Sequence, residues 1–429
     1  MDHLQAWDKY WQLDYAALPD DVRAVAHQCV LDWYGCALAG STEPLAEILR
    51  TQFGYRKGDC AVIGSDLRLD AATAALLNGA SGHALDFDDT GARTLCHSTA
   101  PVLPAVLAVA EETGASSDDL IVAFVTGVEI AGRVGQMMGT DHYPRGWHST
   151  ATLGTFGATA AVARLLHLDK ETYAVAMGLA ASHAGGVKAN FGTMTKPYHA
   201  GHAAESGINC ARLAAAGFSA NWEAVSGSQG FVQAASNAAA DSHASERLTE
   251  AADEWMILGT LFKYHAACHL THSAIENVLK LKAEHSVDEL SSLTISVHPG
   301  LLNVCGIPAP RTGLEGKFSL TGTASLALNG IDTSNPRTFV DEVIASEPVQ
   351  QLLARISVET DKSLGQFQSR VVWVDAQQAA HEAFNDLSLP VTDYAAQGEK
   401  LDAKFDSLCA FAGEDAQRCR AQLTALAQR

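Results

Sequence analysis

Residues 261–275 read LFKYHAACHLTHSAI, and the chain changes character on either side of them. Through residues 1–260 apolar side chains recur at helical spacing. Beyond about residue 262, β-branched residues begin to alternate with polar ones. A hydrophobic period that shifts from about 3.6 residues to about two marks a change of secondary-structure class. The same fifteen residues hold a lysine, a tyrosine, a cysteine and three histidines, so the junction between two textures is also rich in chemistry.

Working upstream, DDVRAVAHQCVLDWYGCALAGS (20–41) opens on acids and closes on Gly-Ser, as a capped helix should. DAATAALLNGASGHAL (70–85), PVLPAVLAVAEETGAS (101–116), DDLIVAFVTGVEIAGRVGQMMG (118–139) and TLGTFGATAAVARLLHL (152–168) repeat the pattern. Alanine and glycine are dense enough to require close helix packing, which implies a bundle with buried central members. No βαβ alternation or G-x-G-x-x-G turn appears, which argues against a dinucleotide fold. Downstream, LSSLTISVHPG (290–300) and SRVVWVDAQQ (369–378) read as strands, with helices at HSAIENVLKLKAEHS (272–286) and FSLTGTASLALNG (318–330) between them. From TDYAAQGEKLDAKFDSLCAFAG (392–413) the pattern is helical again. The expected fold is mainly α: a large all-helical domain over 1–262 plus 393–429, with a smaller α+β domain over 263–392 inserted. An alanine-rich run at 233–246 reads as an exposed connection.

Length and composition agree. A chain of 429 residues exceeds one comfortable core, and 47% hydrophobic against 18% charged residues suits extensive burial. The first twenty residues lack the basic and apolar regions of a signal peptide, and no run reaches the roughly 18–20 uninterrupted apolar residues of a membrane span. Nine irregularly spaced cysteines without a CxxC pair point to reduced thiols, hence to a cytoplasmic protein without a disulfide framework or iron–sulfur cluster. A formal charge of −20 argues against nucleic acid. An anionic substrate would then need a local basic cluster.

Four constellations could supply it. HALDFDDTGARTLCHST (83–99) concentrates three aspartates, two histidines and a cysteine after an apolar helix. Acids that cap the next element would explain part of it. Yet Asp86 and Phe87 continue the apolar run, so a carboxylate is expected inside, beside a basic partner. In YPRGWHSTATLGTFGAT (143–159), His148 precedes a helix start whose amides could hold an anion, although a histidine beside tryptophan more often just packs. In KANFGTMTKPYHAGHAAESG (188–207), Lys196 stands in a Gly-rich passage with Tyr198, His199 and His202 nearby. A desolvated lysine can act as a base or clamp a carboxylate. The fourth is 261–275. On a continuous helix His265, His269 and His272 would share a face, but the run holds no acidic ligand and no H-E-x-x-H pattern, so no metal is expected there.

LDWYGCALAGS, LLNGASGHALDFDDT, GWHSTATLGTFGATAA, GTMTKPYHAGHAAESG, KYHAACHLTHSAIE, EGKFSLTGTASLAL and KFDSL occur in an order that resembles the MmgE/PrpD family over nearly the whole chain. Its members include 2-methylcitrate dehydratase, cis-aconitate decarboxylase and iminodisuccinate epimerase. The resemblance implies a homodimer with its site at the domain interface. Asp86, Thr90, His97, His148, Lys196 and Lys263 match the family's site segments. Two departures stand out: His97 is followed by serine where members often have proline, and KYHA replaces Lys-Pro-Tyr-Pro. Cys268 also stands where decarboxylase-like members carry a catalytic histidine, with His269 next to it.

The expected activity is abstraction of a proton next to a carboxylate of a small di- or tricarboxylate, without a cofactor. His97, Lys263, Tyr264, Cys268 and His269 are the expected catalytic residues. Asp86, Thr90, His148, Lys196 and His265 are the expected substrate-binding ones. A hydro-lyase of the 2-methylcitrate dehydratase kind ranks first and a two-base epimerase next. A decarboxylase, or an anion-binding protein without catalysis, follows. No nucleic acid or membrane partner is expected.

Overall fold

The computed structural model describes residues 3–237 and 254–427. Nine helices of the mainly α chain are used below, in chain order: α1 (Asp20–Gly40), α2 (Ala71–Ala84), α3 (Thr99–Thr113), α4 (Ser117–Met138), α5 (Ser149–Leu165), α6 (Thr195–Ala215), α7 (His269–Glu284), α8 (Leu320–Leu328) and α9 (Tyr394–Ala412). Their starts follow the local chemistry. The Asp70 carboxylate accepts the Thr73 amide at α2, and the Ser116 hydroxyl accepts the Asp119 amide at α4, each at 3.1 Å.

Every residue of α2 is buried, as is all of α5 except Arg164, so these two form the centre of the helical part. α2 packs on α6, and α5 packs on α3, α4 and α6. Small residues make this possible. A methyl group on Gly201 of α6 would fall 2.1 Å from the Leu76 carbonyl oxygen of α2, and one on Gly79 would fall 2.9 Å from the Gly201 Cα. The approach brings the start of α6 beside the end of α2, where the sequence places Lys196 and His83. α4 is long and apolar enough to cross a membrane by length and composition, but 89% of its apolar window is buried within the fold.

The α+β part is built on a four-stranded sheet of order β6-β5-β7-β8: β5 (Leu290–Val297), β6 (Ile356–Thr360), β7 (Gln368–Asp375) and β8 (Ala380–Asp386). β5 runs parallel to β6 and antiparallel to β7, which is antiparallel to β8. α7 lies on β7 and β8 and packs against α8. Leu293, Ile295 and Val297 alternate inward along β5 as a half-buried strand requires. α9 returns to α1 through buried Leu401, Phe405 and Leu408.

Among the described residues three apolar clusters result. One runs through the helices and includes Leu401 and Phe405, and one fills the α+β part. The third joins Cys36, Leu85, Phe87 and Leu408 to Ala267 and Phe339, so it is a seam between the two textures.

The strictly helical reading of residues 1–260 needs correction. β1 (Lys57–Ala61) and β2 (Arg68–Leu69) form a small antiparallel pair. Cys60 and Leu69 are buried beneath it, a pattern too short for periodicity to reveal. A second pair, β3 (Thr90–Gly91) with β4 (Thr260–Leu261), sets Thr90 opposite Leu261. This tie draws the Asp86 stretch to Lys263. β6 and β8 are further strands that the sequence reading did not mark. α7 begins only at His269, with Cys268 as its N-cap, so His265 is not on the same helix as His269 and His272. Phe231–Ala235 is helical, whereas residues 238–246 of the expected connection lie outside the described residues.

Candidate active site

The site begins where α2 ends. Leu85 caps the helix, and Asp86 follows in the left-handed region at φ +52°. Few non-glycine residues settle there, aspartate being among the more tolerant. The reversal brings Asp88 back onto His83, whose Nδ1 lies 2.9 Å from Oδ2 and 3.0 Å from Oδ1. His97, arriving after the β3 turn, places Nδ1 3.2 Å from the same Oδ2.

Asp86 faces the two site lysines. Lys263 Nζ lies 2.5 Å from Oδ1 and donates to the Asp86 carbonyl at 2.8 Å. Lys196 Nζ lies 3.2 Å from Oδ1 and 3.1 Å from His83 Nε2. An ammonium can only donate, so His83 Nε2 accepts and Nδ1 carries the proton toward Asp88. Lys196 sits in the first turn of α6 with Nζ 5.4 Å from the Phe191 ring centroid and 5.5 Å from that of Phe318. Phe318 belongs to the α+β part, so the lysine stands at the seam.

His148 caps α5, its Nδ1 3.1 Å from His199 Nδ1 and its ring stacked on His83 at 5.8 Å. Its Nε2 is buried and meets no hydrogen-bond partner among the described residues. His83, Asp86, Asp88, His148, Lys196 and Lys263 are each at most 4% exposed.

Burial would raise Asp86, but the ammoniums of Lys196 and Lys263, with His97 and His83, hold it well below the usual carboxylate range. Asp88 is likewise held low against burial by His83 and His97. Burial would lower Lys263, and Asp86 and Asp88 raise it instead. Burial and then Lys263 push His97 down to about 3, against the pull of Asp88. His148 is lowered by burial, then by Lys196 and neighbouring imidazoles. The arrangement is therefore two ammoniums on a shared carboxylate oxygen, ringed by imidazoles that stay neutral. With Asp88 present, the cluster is closer to charge balance than a purely basic pocket.

The junction residues divide. The Cys268 amide donates to the Lys317 carbonyl at 3.0 Å. A hydrogen bond from Cys305 lowers the Cys268 thiol, and burial opposes this. His269 lies within the same field: burial, then Lys263 and His97, push it to about 3. Neither ring nitrogen has an aligned hydrogen bond among the described residues, although the Leu387 backbone approaches.

His265 is tied at both nitrogens, to Thr333 Oγ1 at 2.8 Å and Glu276 Oε1 at 3.0 Å. Tyr264 is raised to about 12 by burial, and its ring lies 5.5 Å below Lys400 Nζ on α9. The structure thus brings Asp86, His97, His148, Lys196 and Lys263 together and leaves Tyr264 outside that cluster. Thr90 enters through its backbone pairing. Sequence reasoning gave no role to His83 or Asp88, although both stand in the quoted stretch, and none to Cys305. His199, one helical turn beyond Lys196, carried the clearest missed signal.

His83, Asp86, Asp88 and His97 each offer a metal-ligand atom, all within 4.8 Å of one another. Two ammoniums already face Asp86 Oδ1 and one faces His83 Nε2. A divalent cation would meet their repulsion, so these residues do not fit a metal as they stand.

A family model described as the MmgE/PrpD N-terminal domain matches residues 8–243, and one described as the MmgE/PrpD C-terminal domain matches 265–428. Among curated proteins, the chain is 32% identical over 303 residues to the cis-aconitate decarboxylase-like protein oryM of Aspergillus oryzae, covering 66% of this chain and 62% of that one. It is 34% identical over 225 residues to cis-aconitate decarboxylase of Homo sapiens, covering 50% and 46%. For the Aspergillus terreus cis-aconitate decarboxylase the identity is 30% over 291 residues, covering 64% and 59%. The chain therefore spans between 46% and 62% of the length of these relatives.

Proposed function

The chain belongs to the MmgE/PrpD family, and from that premise we propose that it is a cofactor-independent lyase acting on a small di- or tricarboxylate. The observation that carries this reading is the pair of ammoniums, Lys196 and Lys263, meeting at Asp86 Oδ1 beside the neutral imidazole of His97. A C–H bond next to a carboxylate is weakly acidic, so its removal needs a free base and fixed positive charge for the developing enediolate.

In the proposed reaction, substrate carboxylates exchange with Asp86 for part of the two ammoniums, and His148 Nε2 supplies a further polar contact. With Nδ1 turned to Asp88, His97 has Nε2 left to accept the proton. The C–H electron pair moves into the carboxylate as an enediolate. Its collapse breaks the β C–O bond, and the Cys268 thiol delivers the proton that leaves with hydroxide as water. The proposed working form is a cytoplasmic homodimer, with residues 263–392 as the domain inserted into 1–262 plus 393–429.

Loss of water ranks before loss of CO₂ on two grounds. Neutral imidazoles are bases, whereas CO₂ departure requires none and is slowed by ammoniums holding the leaving carboxylate. Cys268 also replaces the histidine of decarboxylase-like members. The printed names of the curated relatives favour the second reading, a decarboxylase of cis-aconitate. Incubation with citrate-, malate- and aspartate-like acids and with cis-aconitate in deuterated water, followed by NMR, tests both. A new alkene with water released supports the hydro-lyase. Release of CO₂ from cis-aconitate replaces it with the decarboxylase. Inverted substrate carrying solvent deuterium replaces it with an epimerase. Activity surviving both Lys263→Ala and His148→Ala removes this pocket from the mechanism.

A further inference from the structure

The left-handed turn at Asp86 leaves three consecutive carbonyls, those of residues 85, 86 and 87, at the end of α2. Each is met by a different buried lysine. Lys317 Nζ donates to the Leu85 carbonyl, Lys263 Nζ to that of Asp86 at 2.8 Å, and Lys404 Nζ to that of Phe87 at 2.6 Å. The lysines come from three segments, 232, 177 and 317 residues away from their acceptors. They are 3%, 0% and 7% exposed.

The last carbonyls of a helix lack intrahelical donors, and a cation there is favoured by the helix dipole. One cation would suffice for that. Burying an ammonium against neutral carbonyl oxygen is costly, so three in a row call for a local reason. Lys263 and Lys404 recover part of the cost through carboxylates, Asp86 and Asp32, the latter at 2.7 Å. Lys317 has no carboxylate within ion-pair distance among the described residues, and burial lowers it to about 8. Its own carbonyl accepts the Cys268 amide, so it touches both halves of the site without entering it. Lys404 lies 3.9 Å over the Phe87 ring. The residue between the two flanking contacts is the one in the strained conformation.

We propose that Lys317 and Lys404 are positioning residues that clamp the carbonyls on either side of Asp86 and so hold its carboxylate toward Lys196 and Lys263. Neither contacts substrate. The kinetic part of this inference rests on the proposed lyase reading, and the structural part does not.

Lys317→Met and Lys404→Met remove the donor while keeping an unbranched side chain of nearly the same reach. Crystal structures of both variants should show Asp86 leaving φ near +52° and Lys263 Nζ separating from Asp86 Oδ1. On whichever acid the wild type turns over, kcat should fall about tenfold or more, with KM changing less than about threefold. Lys317→Arg should recover part of the loss. Variant structures in which Asp86 keeps its conformation and its lysine contacts overturn the proposal, as does a rise in KM with kcat intact. Should one methionine variant not fold, the other decides. A wild type inactive on every acid defeats the lyase reading and leaves the crystallographic outcome to judge the clamp.

Discussion

The buried charged clusters around Glu129 and around Asp86 are finished differently. On α4, Glu129 receives the Tyr10 hydroxyl on one oxygen and the Ile257 amide on the other, each at 3.0 Å. The Arg133 guanidinium reaches Gln136, the Tyr10 hydroxyl and the Glu254 carbonyl at 3.2, 3.0 and 2.6 Å. That cluster pins Tyr10, at the end of the His3–Tyr10 helix, and the 254–257 segment to α4. Around Asp86 the ion pairs are closer, 2.5 and 3.2 Å against 3.8 Å for Arg133 with Glu129, yet Asp86 Oδ2, His148 Nε2 and both nitrogens of His269 meet no aligned partner among the described residues. Buried hydrogen-bonding capacity left open costs stability, and it persists where a ligand can use it. What sets the Asp86 cluster apart is that its open positions include imidazole nitrogens close to two lysines.

The largest expected difference between the clusters is kinetic. Lys263→Met should lower kcat by about 10³, or ~4 kcal/mol, because a fixed charge is lost from the transition state. Steady-state turnover on whichever acid the wild type converts measures it. Arg133→Met should do the reverse. It leaves Glu129 without its cation and costs about 3–5 kcal/mol in denaturant unfolding, while kcat per folded molecule stays unchanged. Equal kinetic damage from both substitutions would erase the distinction.

Acid should also separate them. Burial raises Glu129, so its contribution is present below its unfolded value and lost as pH rises through the folded one. Asp86 and Asp88 are held low despite burial, so theirs is present above about 3.9 and lost on further acidification. His97, lowered to about 3 by burial, loses stability as pH falls below about 6.5, because the unfolded imidazole binds the proton first. Thermal unfolding from pH 7 to 4 should therefore show falling stability, with a shallower slope in His97→Gln. Over the same range the folded protein should keep His97 neutral, so on the proposed lyase reading kcat/KM should not follow a histidine titration near 6.5. The smallest effect belongs to Tyr264→Phe, where kcat should stay within about twofold because the ring packs under Lys400.

How much of this could be read from the chain depends on the range of the interactions. Helix existence and starts are local, and Asp70 and Ser116 announce theirs. The gathering of Asp86, His97, His148, Lys196 and Lys263 was legible as an expectation because each lies in a stretch too polar for its apolar context. The pairing of His83 with Asp88 was not, since it depends on a left-handed residue between them that nothing adjacent dictates. Tyr264 adjoins Lys263 in the chain, yet its ring packs under Lys400 of α9 while Lys263 reaches Asp86, a divergence that sequence adjacency does not announce. β1 and β2 escaped notice because two short strands give periodicity too little length to register.

The Lys404 contact on the Phe87 carbonyl spans 317 residues. During synthesis at about 5–20 residues per second, the turn must wait roughly 15–60 s for that partner to leave the ribosome. Until then the nascent helices carry a charged, half-assembled pocket, so the emerging chain should be inert and vulnerable to proteases until α9 docks.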